Sequence, residues 1–249
     1  MRKILFLLLL LAAGTASAQQ RQYAVLSLLG DKLLVAQYYP NESGFRSDGG
    51  LQALVSLDDN SFDKTALQTA DKVIKTFEPA AKPVLLVARD TSLYEAAAGV
   101  AKAGQSSKAL LERLAPMLRG SGATHLVLFT KLKQPARVQK FKDTALGSGD
   151  LEGLGFYVDT GRGGPNEPGS QAEAVFGPFA YFRMELIDLA RGEIVKEERV
   201  AASRAFAAAQ SGNPWGLMNN KEKVVALQDV IRRETEKVLP SLLGKGPRL

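Results

Sequence analysis

From Tyr23 onward the chain breaks into short apolar runs and longer helical repeats. Tyr23 to Leu29 is an apolar run rich in strand formers, and Lys32 to Tyr39 is a second. Gly30-Asp31 lies between them, which predicts two strands joined by a tight turn. From Pro40 to Asn60 the composition turns to Asn, Ser, Gly and Asp, as in an exposed connection holding one brief strand over Leu51 to Val55. Phe62, Ala66, Ala70, Val73, Ile74 and Phe77 then recur at helical spacing. Ser61 is placed to cap that helix, Asp63 complements the positive end of its dipole, and Pro79 ends it.

Pro83 to Ala88 is continuously apolar and of strand length, the pattern of a strand buried on both faces at the centre of a parallel sheet. Ser92-Leu93-Tyr94-Glu95 has capping-box spacing and opens an Ala-rich helix that fades at Gly104. A further helix begins near Ser106 or Ser107, with Leu110, Leu111, Leu114 and Leu118 on one side, Pro116 kinking it and Gly120 and Gly122 ending it. His125 to Leu132 is another buried strand. The strand, helix, strand order from Pro83 to Leu132 implies a crossover between parallel neighbours. Residues 143–177 hold nine glycines and predict a long surface insertion. Phe179 to Leu189 alternates, with Phe182, Met184 and Leu186 on one face and Tyr181, Arg183 and Glu185 on the other, as in a half-exposed strand. Asp188 to Gly192 makes a turn, and Glu193 to Ala201 returns as the partner strand. Lys221 to Leu239 is the last helix, with Val224, Leu227, Ile231 and Val238 along its apolar seam, and the tail frays from Pro240. The elements sum to a single α/β domain. It has a mixed sheet with a parallel centre and an antiparallel hairpin, helices on its faces, and a long Gly-rich loop.

The first eighteen residues stand apart. Arg2 and Lys3 lead into the apolar run Ile4 to Ala13 and then Ala16-Ser17-Ala18, the pattern of a cleavable secretory signal peptide. Cleavage after Ala18 leaves 231 residues, residues 19–249, as the domain. The whole-chain charge of +6 falls to +4 once Arg2 and Lys3 are gone, which is mildly basic and is not the charge of a nucleic-acid binder. An apolar fraction of 45% supports a sizeable core. With no cysteine, the chain forms no disulfide, no thiolate metal site and no thiol nucleophile. No later segment is apolar for long enough to span a membrane, so the expected location is the periplasm.

Two segments carry a family resemblance. The helix leading from Ala109 into Gly122-Ala123-Thr124-His125-Leu126-Val127-Leu128 resembles the "leucine-rich helix, then Gly-Ala-Asp-Tyr-hydrophobic strand" of a group of bacterial envelope proteins. Met184 to Val195, with Asp188, Gly192 and Glu193 at its turn, resembles that group's "strand, Asp, three residues, Gly-Glu-hydrophobic, strand". The group comprises the amino-terminal domain of TolB, the curli-secretion lipoproteins and the lipoprotein activators of penicillin-binding proteins. The resemblance covers residues 105–132 and 178–203. It implies a periplasmic α/β domain that binds other envelope proteins, and it carries no catalytic residue across. The chain departs from the lipoprotein members in having no cysteine to lipidate, and from TolB in having no propeller.

Candidate chemistry is sparse. His125 is the single histidine, placed at the start of a strand with no Gly-x-Ser-x-Gly elbow to serve, which favours a structural role. Gly161-Arg162-Gly163-Gly164 lacks the following Lys-Ser or Lys-Thr of a phosphate cradle and reads as loop. Asp58, Asp59 and Asp63 precede or open a helix, where such residues are preferred without any metal. Phe156, Tyr157 and Phe176 either anchor a partner or pin the glycine-rich stretch to the core. Lys131, Lys133, Arg137, Lys140 and Lys142, with Phe141 among them, form a basic stretch that either touches an anionic surface such as lipid headgroups or a glycan or protects a strand edge. Trp215 caps the core ahead of the last helix. The reading is an exported, non-catalytic binding or accessory protein of the cell envelope, recognising an envelope protein through Lys133, Lys140, Phe141, Phe156 and Tyr157, with no catalytic, cofactor or metal site. The alternatives are a hydrolase using strand-end carboxylates such as Asp31 or Asp90, and a small-ligand-sensing domain.

Overall fold

The computed structural model describes residues 21–38, 51–57, 60–103, 108–136, 138–140, 144–146, 150–159, 174–208 and 214–246. Residues 1–18, expected from the sequence to be a signal peptide, and the Gly161 to Gly164 stretch lie outside them.

The architecture grows from one long strand, β10 (Ala174–Asp188). Its first half, Val175 to Tyr181, pairs antiparallel with β9 (Asp150–Asp159), and its second half, Phe182 to Asp188, pairs antiparallel with β5 (His125–Lys131). The sheet therefore forks. One branch continues from β5 to β1 (Tyr23–Leu28) and then β4 (Val84–Val87), all three parallel. The other continues from β9 to β2 (Lys32–Tyr38), parallel to it, and then to antiparallel β3 (Leu51–Ser56). The opposite edge of β10 carries β11 (Glu193–Ser203) and β12 (Phe206–Ala208), and β6 (Lys133–Pro135) adds to β9. A separate short pair joins β7 (Val138–Lys140) to β8 (Thr144–Leu146). The result is a single-domain α/β fold with a mixed sheet curled into a half-barrel and, among the described residues, four α-helices.

The fork explains why β1 and β2 do not form the expected hairpin. Both run in the same direction, and three strands separate them in the sheet order. The link Leu29 to Asp31 carries the chain from one branch to the other without reversing it. Its amides find a partner in helix α1 (Ser61–Phe77), whose Asp63 accepts from Leu29 N at 2.9 Å and Gly30 N at 3.2 Å. Asp63 thus turns inward, and the N-cap position falls to Asn60 rather than Ser61, without a capping hydrogen bond from the Asn60 side chain.

Helices α1 and α4 (Asn220–Leu242) cover one face, closing a core of Tyr23, Val25, Phe62, Ile74, Phe129, Phe182, Leu227 and Ile231. Helices α2 (Thr91–Ala103) and α3 (Lys108–Leu118) cover the other face of the β5–β1 branch through Leu26, Leu28, Leu93, Leu110, Leu114 and Leu128. Each large side chain buried in this way contributes about 1.5–3 kcal/mol. Helix α4 opens with a capping box, Asn219 with Glu222, and runs through Pro240 to Leu242 rather than fraying there. Burial of Leu239, Leu242 and Leu243 outweighs the hydrogen bond the proline removes.

Three further expectations are revised. β4 is the end strand of its branch, and Val84, Leu85 and Val87 are 36%, 39% and 40% exposed. Residues 143–177 are not one surface insertion, because they contain β9, which lies between β2 and β10. The alternating strand within β10 is buried on both faces: Tyr181 packs with Phe179, Leu151 and Tyr157 in a third cluster, and Glu185 is enclosed with Arg183 at 3.4 Å.

Candidate functional site

Two places bear on function, a buried polar cluster and a groove. The first lies at the carboxyl ends of β1 and β5. Asp63 accepts there from Ser27 Oγ at 2.5 Å and Tyr94 Oη at 2.8 Å, besides the two amides of the β1–β2 link. Burial pushes its carboxyl above the usual range, and the donors from Ser27, Leu29, Tyr94 and Gly30 pull the other way without cancelling it. Tyr94 is pushed far up, by burial first and then by Asp63. Asp31, the next acid along, is ion-paired with Lys131. A Cβ on Gly30 would sit 2.7 Å from Asp63 Oδ2, so no side chain and no ligand atom fits between them. This cluster holds the crossing of the chain together. Asp90, at the end of β4, accepts from Ser92 N at 2.8 Å and Ser92 Oγ at 2.6 Å and thereby caps α2. The two strand-end carboxylates of the hydrolase alternative are therefore engaged separately.

The second place is a groove at the opposite end of β5, with a volume of about 680 Å³. One wall is the last turns of α3 and the chain that follows, including Leu111, Ala115, Leu118 and Ala123; the other is the β10–β11 turn, with Leu189 and Gly192. The α3 wall ends where Ser121 Oγ donates to Leu118 O at 2.7 Å and Gly122 takes φ 66°, which redirects the chain into β5. The turn is built by Asp188. Its side chain accepts from Ala190 N at 2.9 Å and Arg191 N at 3.1 Å, and its carbonyl accepts from Gly192 N at 2.8 Å, with Gly192 at φ 66°. The amide of Arg191, then that of Ala190, and the nearby Arg191 guanidinium hold the Asp188 carboxyl below the usual range. Leu189 N donates to Thr124 O at 3.0 Å, which locks the turn to the entry of β5.

The groove is lined by apolar side chains and carries charges of both signs on each wall, Glu112 and Arg119 on α3 and the chain just after it, Arg191 and Glu193 on the turn. An extended segment carrying one apolar side chain and flanking charges fits that chemistry. His125, paired with Asp188 across the strands, lies next to it. Burial, and then Arg21, lower its pKa, and its Nδ1 lies 2.9 Å from Thr124 Oγ1. Among the described residues no group of three or more His, Asp or Glu could hold a metal ion.

The residues expected to meet a partner are dispersed. Lys133 is exposed on β6 and lies 3.4 Å from Asp150. Lys140 contributes its backbone to β7, and its side chain and Phe141 fall outside the described residues. Phe156 and Tyr157 face opposite sides of interior strand β9 and are 3% and 2% exposed, so neither offers itself to a partner. Phe156 stacks on Phe176 at 5.3 Å and meets Trp215 edge-on at 5.7 Å, and Lys223 Nζ lies 4.3 Å above the Trp215 ring. The aromatics pin the chain to the core, and Trp215 packs where the sequence placed it. The groove was missed because its walls, residues 111–123 and 189–193, are far apart in sequence. The only signals were two turn-forming glycines, Gly122 and Gly192, and both also belong to the family resemblance.

The fold and groove define a single-domain α/β protein. No family model matches the chain, and no curated protein matches it. Among solved structures it is similar to the PelC dodecamer from Paraburkholderia phytofirmans, with 13% identity, 85% of this chain and 86% of that one covered, and a TM-score of 0.22. It is also similar to a protein of the DUF330 family from Xanthomonas campestris, with 11% identity, 90% and 84% covered, and a TM-score of 0.30. Among the described residues no helix is long and apolar enough to cross a membrane, and the chain has no cysteine.

Proposed function

We propose that this chain is an exported, non-catalytic accessory protein of the bacterial cell envelope that works by recognising another envelope protein. The groove between α3 and the β10–β11 turn takes an extended segment of that partner. The observation that carries the reading is the lining of the groove, apolar side chains with a cation and an anion on each of its two walls. The leader pattern Arg2 to Ala18 supports export to the periplasm, and the resemblance to the TolB-domain group supports an envelope partner.

The test is crosslinking in living cells. Photo-crosslinking residues are placed at Leu111 and Arg191 in the groove and, as a control, at the exposed Lys237 of α4, and the amino terminus of the exported protein is read. The reading expects a mature chain beginning at Gln19 and one envelope protein captured from both groove positions but not from Lys237. Equal capture from all three positions, or none from an exported and folded chain, overturns it.

A further inference from the structure

We propose that two copies of this chain pair edge to edge through β4, antiparallel about a two-fold axis at Leu86, to form one continuous sheet. β4 pairs with β1 on one side only, and no described strand covers the other. Its apolar side chains emerge on both faces: Leu85 and Val87 follow Val25 and Ser27 of β1, and Val84 and Leu86 follow Ala24 and Leu26. Three of the four are more than a third exposed. Edge strands are ordinarily protected by charges along the strand. β11 carries Lys196, Glu197, Glu198 and Arg199, whereas β4 has no charge between Lys82 and Arg89.

The pairing geometry selects both the partner and the register. An axis perpendicular to the sheet keeps each face continuous across the joint, so apolar side chains meet apolar side chains on both sides. In an antiparallel pair, directly opposed residues point their backbone groups the same way, toward each other or away. For a strand paired with itself this requires a residue on the axis. Centred on Leu86, the register opposes Val84 to Ala88, Leu85 to Val87 and the exposed Lys82 to the exposed Asp90, twice over by symmetry. Centring on Leu85 moves Lys82 opposite Ala88, and centring on Val87 moves it opposite Ser92, so each loses the charge match. The strand is thus self-complementary in face and charge in one register. This joint lies apart from the groove and does not depend on its occupant.

The experiment uses the protein purified in the form the cell accumulates, followed by sedimentation velocity over a concentration series. The wild type shows a concentration-dependent monomer–dimer equilibrium, and Leu85→Lys is monomeric. Lys82→Asp and Asp90→Lys each create like charges at both ends of the joint and weaken self-association about tenfold. Mixed together, the two variants oppose Asp to Asp90 nowhere: each contact becomes one acid against one base, so a heterodimer forms with wild-type strength. Circular dichroism confirms that each variant is folded. A wild type that stays monomeric at its highest soluble concentration overturns the proposal and leaves the edge to a strand of another protein. A dimer that survives Leu85→Lys overturns it as well, by placing the contact elsewhere. A dimer lost with Leu85→Lys but indifferent to Lys82 and Asp90 overturns the Leu86 register.

Discussion

β9 lies between β2 and β10, carries Gly153 and Gly155, and buries every residue from Leu151 to Val158 except the half-buried Glu152. β4 is Val-Leu-Leu-Val and is largely uncovered. The glycine-rich strand is the interior one and the wholly apolar strand is the edge. Burial here follows the number of neighbours a strand has. Glycine in β9 is what allows those neighbours to come close: a Cβ on Gly155 would lie 1.9 Å from the carbonyl oxygen of Leu34 on β2 and 2.7 Å from the Phe179 ring on β10.

The largest effect that can break this contrast is therefore at Gly155. Gly155→Ala sets a methyl group against backbone that is itself fixed in the ladder, and should cost more than about 4 kcal/mol or abolish cooperative folding. Urea denaturation followed by tryptophan fluorescence measures it, since Trp215 packs against Phe156. Gly153 gives the graded comparison. Its φ is 70° and its nearest obstacle is the aliphatic stem of Lys131, a side chain that can shift where backbone cannot, so Gly153→Ala should cost about 1–2 kcal/mol from the left-handed backbone, besides what it takes from the Lys131–Asp31 pair. Equal costs at the two positions would mean that close approach between β9 and β2 is not what Gly155 provides.

The same contrast marks what the sequence could show. The helices were legible because their apolar spacing is local: Phe62, Ala66, Ala70 and Ile74 of α1 are all buried, as are Leu110 and Leu114 of α3. The β10–β11 hairpin was legible because Asp188 and Gly192 make its turn from within five residues. Sheet order was not. Val84 to Val87 reads the same whether one neighbour or two flank it, and nothing local to Leu29-Gly30-Asp31 says that the chain continues forward onto another branch. The residues that decide this, Asp63 and Tyr94, lie 33 and 64 positions beyond Gly30. For the same reason the groove stayed hidden while the aromatics Phe156 and Tyr157, conspicuous in a glycine-rich run, drew attention to a buried strand.

Asp63 offers the intermediate effect, since it supports the crossing that lays β2 against β9. Asp63→Ala strips four donors of their acceptor and should cost about 3 kcal/mol. Asp63→Asn tests the charge. Because burial raises the carboxyl of Asp63 in the folded chain, the native state holds this proton more tightly than the unfolded state does. Its contribution to stability is then full below the ordinary carboxylate range and declines as pH rises through the raised native value. Urea midpoints measured from acid to neutral pH should show that decline in the wild type and lose it in Asp63→Asn. Parallel pH profiles for the two proteins would show that the four donors, not burial, set the protonation of this group.

The smallest effect closes the contrast at β4. Leu85→Thr keeps a strand-forming side chain at a position 39% exposed and with a neighbour on one side only. Its cost to the isolated chain should be about 0.5 kcal/mol or less, an order below that at Gly155. The measurement must be made where the chain is monomeric, because a dimer joined at β4 adds a concentration-dependent increment that the substitution also removes. Unfolding midpoints taken at a dilute and a concentrated sample separate the two contributions. The wild-type midpoint should rise with concentration and that of Leu85→Thr should rise less, while at the dilute limit the two differ by that small cost alone. A large cost persisting at the dilute limit would mean that β4 is held by its apolar side chains within one copy, and the difference between an enclosed strand and an edge strand in this sheet would then be one of degree.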